Sequence, residues 1–461
     1  MEAQGTLPGS FRDPDGFMFR QQGRLYRQVN HSYRENYDLL IRSGLYQKLS
    51  TSELLVSHEE AALNEARTPG AYMVIQPREL PFISYPCEWS FSQLKDAALL
   101  TIKIQKIALE HGLSLKDASA TNIQFLNGKP LLIDTLSFEK YVAGRPWVAY
   151  RQFCQHFLAP LSVMARRDVR LGQLSRIFLD GIPLDLASRL LPFSTRFRFS
   201  ILSHVHLHAR AQRHYQDKPR KTARRALSRF SFLALIDSLE SAITGLNWQP
   251  RESAWAGYYE HTNYSPAAAE GKRKCVDDFL QLTNPRLVWD IGANTGLFSR
   301  LATDRHIPTI SLDIDPAAVD MNYRQGRREN NAFLLPLLGD ITNPSPGSGW
   351  ENNERMSLLE RGPADAILAL ALVHHLAIAN NLPLARIASL FSRLCRWLII
   401  EFIPKEDSQV QRLLASREDI FPDYHAQGFE AEFSRFFSIA RRENIAQSGR
   451  FVFLMKSRSA R

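Results

Sequence analysis

The sequence predicts a C-terminal α/β half built on a parallel sheet with an antiparallel last strand, preceded by an α+β N-terminal half. Three observations carry this. From Trp255 onward, apolar runs of strand length alternate with helical stretches, at Leu287–Ile291, Thr309–Ile314, Phe333–Leu338, Ala366–Val373 and Trp397–Ile403, a spacing that suits βα units. Two more strand-like segments, Phe436–Arg441 and Arg450–Lys456, follow with only a short polar loop between them and read as a closing antiparallel hairpin. Ahead of Trp255, short β-like runs mix with helical patterns.

The chain has 461 residues, more than one hydrophobic core usually serves, which predicts two domains and a connection. Pattern places them at 1–208, 209–250 and 251–461. The first opens on β-like runs around Gly16-Phe17-Met18-Phe19-Arg20 and Gly23-Arg24-Leu25-Tyr26-Arg27. A helix is predicted from about Ser92 to His111, with Ala97, Leu100, Ile104, Ile107 and Ala108 at helical spacing and Gly112 as its stop. Amphipathic helices follow between Tyr150 and His208.

Residues 209–230 carry eight Arg or Lys against one Asp, which accounts for most of the chain's net charge of +10. The basicity is therefore one local stretch and not a nucleic-acid surface spread over a domain. It reads as a solvated connector, with a phosphate-binding or membrane-surface role as the alternative. It leads into a helix with Phe232, Leu235, Ile236, Leu239, Ile243 and Leu246 on one face.

Cys87, Cys154, Cys275 and Cys395 are far apart, with no Cys-x-x-Cys pair or nearby His, so no structural metal is expected. The start carries an acid and no apolar run. The most apolar stretch, Ala364 to Ala379, is too short for a membrane span and is broken by Asp365, His374 and His375. A reducing cytoplasm is the expected location.

The strongest local signal is Leu287-Val288-Trp289-Asp290-Ile291-Gly292-Ala293-Asn294-Thr295-Gly296-Leu297-Phe298. A buried strand running into a glycine-bearing turn and a helix forms a nucleotide-binding crevice. Gly292 and Gly296 permit close approach, and Asn294 tolerates a left-handed backbone where a third glycine would be expected. Asp313 ends the second apolar run, 23 residues after Asp290, where a carboxylate accepts both ribose hydroxyls. Asp340 follows the third run, placed for an adenine edge. The competing roles are helix cap for Asp313 and turn former for Asp340.

These residues resemble the class I S-adenosylmethionine-dependent methyltransferases, and the chain is similar to a bacterial nodulation-protein-like group of them. The resemblance covers about 200 residues. It implies a Rossmann-like fold and S-adenosyl-L-methionine as cofactor, with Asp290, Gly292, Asn294 and Gly296 as the first motif. It carries the ribose-binding acid to Asp313, the adenine-side acid to Asp340, and the fourth motif to Asp365 through Leu376. The terminal hairpin matches that family's reversed last strand.

Methyl transfer from a sulfonium is an in-line displacement, so catalysis rests on alignment and, for a weakly acidic acceptor, a nearby base. His374 and His375 follow the fourth strand, where one of them is a base or both shape the pocket wall. Glu401, after Ile399-Ile400 on the fifth strand, is a second candidate for base or an acceptor-orienting group. The aromatic stretch from Trp255 to Ser265 is either a lid, with Tyr264 and Lys272 near the cofactor's methionine end, or core packing. No residue pattern identifies the methyl acceptor or an oligomeric state.

In the first half, Asp117, Asn122 five residues later, a short hairpin and then Asp134 after an apolar strand follow the order of a kinase site. The segment resembles the protein-kinase and aminoglycoside-phosphotransferase fold. That resemblance implies Asp117 as base and Asn122 and Asp134 as metal ligands. Leu115-Lys116-Asp117 stands for the family's His-Arg-Asp and Asp134-Thr135-Leu136 for Asp-Phe-Gly, and no glycine-rich phosphate loop or Val-Ala-x-Lys strand is visible. A non-catalytic kinase-like domain is therefore expected. The rival readings are a bifunctional phosphotransferase/methyltransferase and a non-catalytic ligand-binding scaffold.

Overall fold

The computed structural model describes residues 5–210, 228–249, 264–415 and 417–459. The chain divides into two compact units: Met1–Gln249 with Gly349–Arg355, and Pro250–Ser348 with Met356–Arg461. Most of the basic stretch 209–230 and the aromatic stretch 255–263 lie outside the described residues.

The first unit begins with β1 (Gly16–Gln21) and β2 (Arg24–Asn30), an antiparallel pair. Gln22 and Gly23 both take positive φ, 49° and 78°, as the two-residue hairpin turn requires. With β3 (His58–Ala61) and β4 (Ala71–Pro77) they form a four-stranded sheet in the order β1-β2-β4-β3. Strand β5 (Leu113–Leu115) pairs with β8 (Phe138–Lys140), and β6 (Ile123–Leu126) with β7 (Lys129–Leu132).

The helix Phe91–Glu110 begins at Ser90, whose hydroxyl accepts from the Gln93 N–H while the Gln93 side chain accepts from the Ser90 N–H. It ends before Gly112, at φ 77°. Ala97, Leu100, Ile104 and Ala108 are buried as predicted. Along it packs the helix Arg229–Thr244, so the predicted packing helix belongs to the first unit. Lys106 Nζ pairs with Asp237 and Glu240, both at 2.6 Å. Lys95 Nζ donates to the Thr244 and Leu246 carbonyls at 2.9 and 2.7 Å, placing a cation at the helix's negative end.

The second unit is a seven-stranded sheet in the order β11-β10-β9-β12-β13-β15-β14. Its strands are β9 (Val288–Ile291), β10 (Thr309–Asp313), β11 (Leu334–Leu338), β12 (Ala364–Ala369), β13 (Cys395–Phe402), β14 (Phe437–Ile445) and β15 (Arg450–Ser457). The first five are mutually parallel, and β15 inserts antiparallel between β13 and β14. This is the parallel sheet with an antiparallel last strand that the sequence predicts. Every residue of β9 is buried, and Val288, Leu368, Ile399 and Leu454 share a core with Val276 and Leu280 of the helix Pro266–Thr283. The strand order reverses between β9 and β12, which sets a ligand crevice at their carboxyl ends.

One predicted strand ends early. The run Ala366–Val373 is extended only to Ala369, because Ala371 takes φ 50° and turns the chain toward the helical turn His375–Ala379. Residues 370–372 are therefore a loop at the carboxyl edge of the sheet, and Val373 and His374 open the helical turn that follows. No helix among the described residues is long and apolar enough to cross a membrane.

Candidate cofactor and transfer site

At the end of β9 the backbone passes through Gly292 at φ 77°, Asn294 at φ 52° and Gly296 at φ 78° before the helix Leu297–Thr303 begins. A Cβ on Gly296 would lie 2.5 Å from the Asn322 amide, and one on Gly292 would lie 3.3 Å from Leu372 Cδ1. The turn thus sits tightly between the helix Pro316–Arg328, which carries Asn322, and the loop after β12. Asn294 takes the left-handed conformation expected of it, and its side-chain Oδ1 accepts from the Thr295 N–H at 2.7 Å.

Asp313, at the end of β10, is tied to this turn. Its Oδ2 accepts from the Asn294 N–H at 2.7 Å and its Oδ1 from the Asp315 N–H at 2.9 Å. Burial raises its pKa, against these backbone donors, which favour the carboxylate. Each oxygen keeps a lone pair for a hydroxyl donor. Asp340 instead holds its own turn, with Oδ1 accepting from the Thr342 N–H and hydroxyl at 2.8 and 2.7 Å. Asp290 is buried beneath the turn, accepts from Ser299 Oγ at 2.6 Å, and is pushed by burial up to about 7.

Glu401, on β13, is fully buried at 0% exposure. Its Oε2 accepts from Lys272 Nζ at 2.7 Å and from the Ala371 N–H at 2.8 Å. Its Oε1 accepts from the Tyr264 hydroxyl and lies 3.7 Å from Arg450. Arg450 pairs in turn with Asp407 at 2.7 Å and stacks over the Tyr264 ring at 4.1 Å. Burial opposes ionisation, yet Lys272 and Arg450 hold the Glu401 pKa below the usual range. Both oxygens of this carboxylate are thus engaged by protein donors. Its geometry is that of an anchor for Tyr264, Lys272 and the loop after β12.

His374 is 1% exposed, and its Nδ1 has no hydrogen-bond partner among the described residues. Burial drives its pKa well below the ordinary histidine value, so it is neutral near pH 7. The His375 ring lies 4.2 Å away, and burial lowers its pKa too. An orphaned buried ring nitrogen costs free energy unless something occupies it, and His374 lies two residues after Leu372, which packs on Gly292.

In the first unit Asp117, Asn122 and Asp134 lie around one network. Asn122 Nδ2 donates to Ser137 Oγ at 3.2 Å, which donates to Asp134 Oδ2 at 2.5 Å. Asp117 accepts from the Ser119 N–H at 2.8 Å, and burial raises its pKa. Sequence reasoning missed Arg27. It projects from β2 to Asp134 Oδ1 at 2.5 Å and to Asp13 at 3.3 Å, while Lys116 pairs with Asp15. No local pattern signals this pairing, because the two residues lie 107 apart in sequence.

No protein-family model matches the chain. Among solved structures, the bifunctional kinase-methyltransferase WbdD aligns at 14% identity and TM-score 0.30, over 42% of this chain and 40% of that one. A putative O-methyltransferase from Nostoc punctiforme aligns at 16% identity and TM-score 0.30, over 41% of this chain and 60% of that one. Sequence similarity reaches much further: nodulation protein NoeA of Rhizobium meliloti strain 1021 is 35% identical over 457 residues, 97% of this chain and 95% of that protein. With that identity over nearly the whole length of both proteins, the chain belongs to the nodulation protein NoeA family.

Proposed function

We propose that the protein is a class I S-adenosylmethionine-dependent methyltransferase whose second unit carries the cofactor and whose first unit is non-catalytic. The observation that carries this is the bond from the Asn294 N–H to Asp313 at the strand-order reversal. It places a carboxylate beside a turn on which a Cβ at Gly292 or Gly296 would crowd Leu372 or Asn322. Such a site takes a ribose at Asp313 and lets the rest of a nucleoside lie along the bare backbone.

When bound, the cofactor supplies a methyl group on a positively charged sulfur. The chain's own residues align the acceptor and exclude water. Glu401 positions Tyr264, Lys272 and the loop that leads into His374. Neutral His374 offers its unpartnered nitrogen to an acceptor proton. Asp340 closes a turn at the adenine side.

Magnesium fits the first unit poorly. Both Asp134 oxygens already accept hydrogen bonds, from Arg27, Ser137 and the Leu136 N–H, and a cation would have to displace Arg27. No phosphotransfer step is assigned to it. The test is incubation of the protein and methyl-labelled cofactor with a fractionated cell extract. Label entering one fraction supports the reading, and none entering any fraction favours the scaffold alternative.

A further inference from the structure

Around Phe193 the first unit displays side chains that a folded surface normally hides. Phe193, Phe197 and Phe199 are 66%, 79% and 79% exposed, whereas phenylalanine is among the residues most often buried. The Phe193 and Phe197 rings meet edge to face at 5.6 Å, and the Arg196 guanidinium stands over the Phe193 ring at 5.0 Å. Arg196 and Arg198, both exposed, alternate with the rings.

The display is held in place from beneath. Phe193–Phe197 is a short 3-10 helix in which Thr195 is buried, its hydroxyl bonded to the Pro192 carbonyl at 2.6 Å and to His206 Nε2 at 2.9 Å. His206 is fixed in turn by Ser188 Oγ at 2.7 Å. On the other side Ile201 is buried, and its segment packs against the helix Arg229–Thr244. With Thr195 and Ile201 pinned inward, the residues around them are carried outward.

Charge identifies the occupant. Residues 193–210 contain Arg196, Arg198 and Arg210 and no acid. A second copy of the chain is disfavoured, because a two-fold contact would set like charges against each other. Phenylalanines that bury in an acyl boundary beside arginines that meet headgroup phosphates are the composition of an interfacial membrane anchor.

We propose that Phe193, Arg196, Phe197, Arg198 and Phe199 form a docking site for an anionic lipid surface, holding the protein peripherally on a membrane. The full chain is mixed with vesicles of phosphatidylcholine alone and of phosphatidylcholine with phosphatidylglycerol, and sedimented at physiological salt. Binding is expected only to the anionic vesicles. It should weaken about tenfold or more in Phe197→Ser/Phe199→Ser, from the lost apolar burial, and lose salt sensitivity in Arg196→Gln/Arg198→Gln. Unchanged melting of both variants shows that the fold is intact.

Equal binding by the phenylalanine variant overturns the site, leaving the basic stretch to act alone. So does absence of vesicle binding. Tighter binding to single-stranded RNA, lost in the phenylalanine variant, would assign the surface to nucleic acid, and self-association lost in that variant would assign it to a second copy.

Discussion

The Glu401 carboxylate accepts from the Ala371 N–H at 2.8 Å, joining the end of β13 to the loop after β12. Ala371 sits at φ 50°, which costs a residue with a Cβ roughly 1–2 kcal/mol. The bond therefore holds a strained residue in place, and Leu372 beside it packs on Gly292. Glu401→Gln removes the charge facing Lys272 and Arg450 and should destabilise the protein by about 3–5 kcal/mol, read by denaturant unfolding. Glycine at 371 adopts the same backbone freely, so Glu401→Gln should cost less cofactor affinity in an Ala371→Gly background. Equal losses in both backgrounds would show that Glu401 does not act through Ala371.

Asp290 predicts a pH dependence. Its folded pKa is raised from 3.8 to about 7, so the folded state binds its proton more tightly than the unfolded state. The resulting stability is full below the unfolded pKa and is lost as pH rises through about 7. Asp290→Asn should flatten the cofactor-free stability profile across that interval. A profile with the same slope as wild type would place the titration elsewhere.

Two glycines should respond oppositely to alanine. Gly296→Ala puts a Cβ 2.5 Å from the Asn322 amide, which also bonds Arg300 and Ser311 at 2.9 Å. It should lower the melting temperature and cofactor affinity together. Gly271, inside the helix Pro266–Thr283, has open space at its Cβ position, and Gly271→Ala should gain about 0.5–1 kcal/mol from helix propensity. Thermal melts of the two variants give the comparison.

The parallel strands, the reversed final strand and the Gly292 turn are legible in the sequence because each is a local pattern of period, glycine spacing and apolar runs. The neighbours of Glu401 are not. Lys272, Tyr264 and Arg450 meet it across 129, 137 and 49 residues, and nothing local signals that Arg450, at the start of a buried strand, pairs with Asp407. The same holds for Arg27 and Asp134, 107 residues apart. The fourth run reads as strand through Val373 because its residues are apolar throughout, yet the hydrogen bond to Glu401 bends it at Ala371.

Arg27 carries the prediction for the first unit. With Asp134 held by Arg27 and Ser137, the full chain with magnesium and ATP should show no turnover above background. Asp117→Ala should leave methyl transfer within a few-fold of wild type. ATP turnover abolished by Asp134→Ala would instead make the protein bifunctional.

The central claim is that Asp313 and the Gly292–Gly296 turn hold S-adenosylmethionine, and titration calorimetry with S-adenosylhomocysteine tests it most directly. The account predicts one site per chain, with affinity lowered roughly ten- to hundredfold in Asp313→Ala, the loss of a charge-assisted hydrogen bond of about 1.5–3 kcal/mol. No binding by the wild-type protein, or unchanged affinity in a folded Asp313→Ala variant, would contradict it.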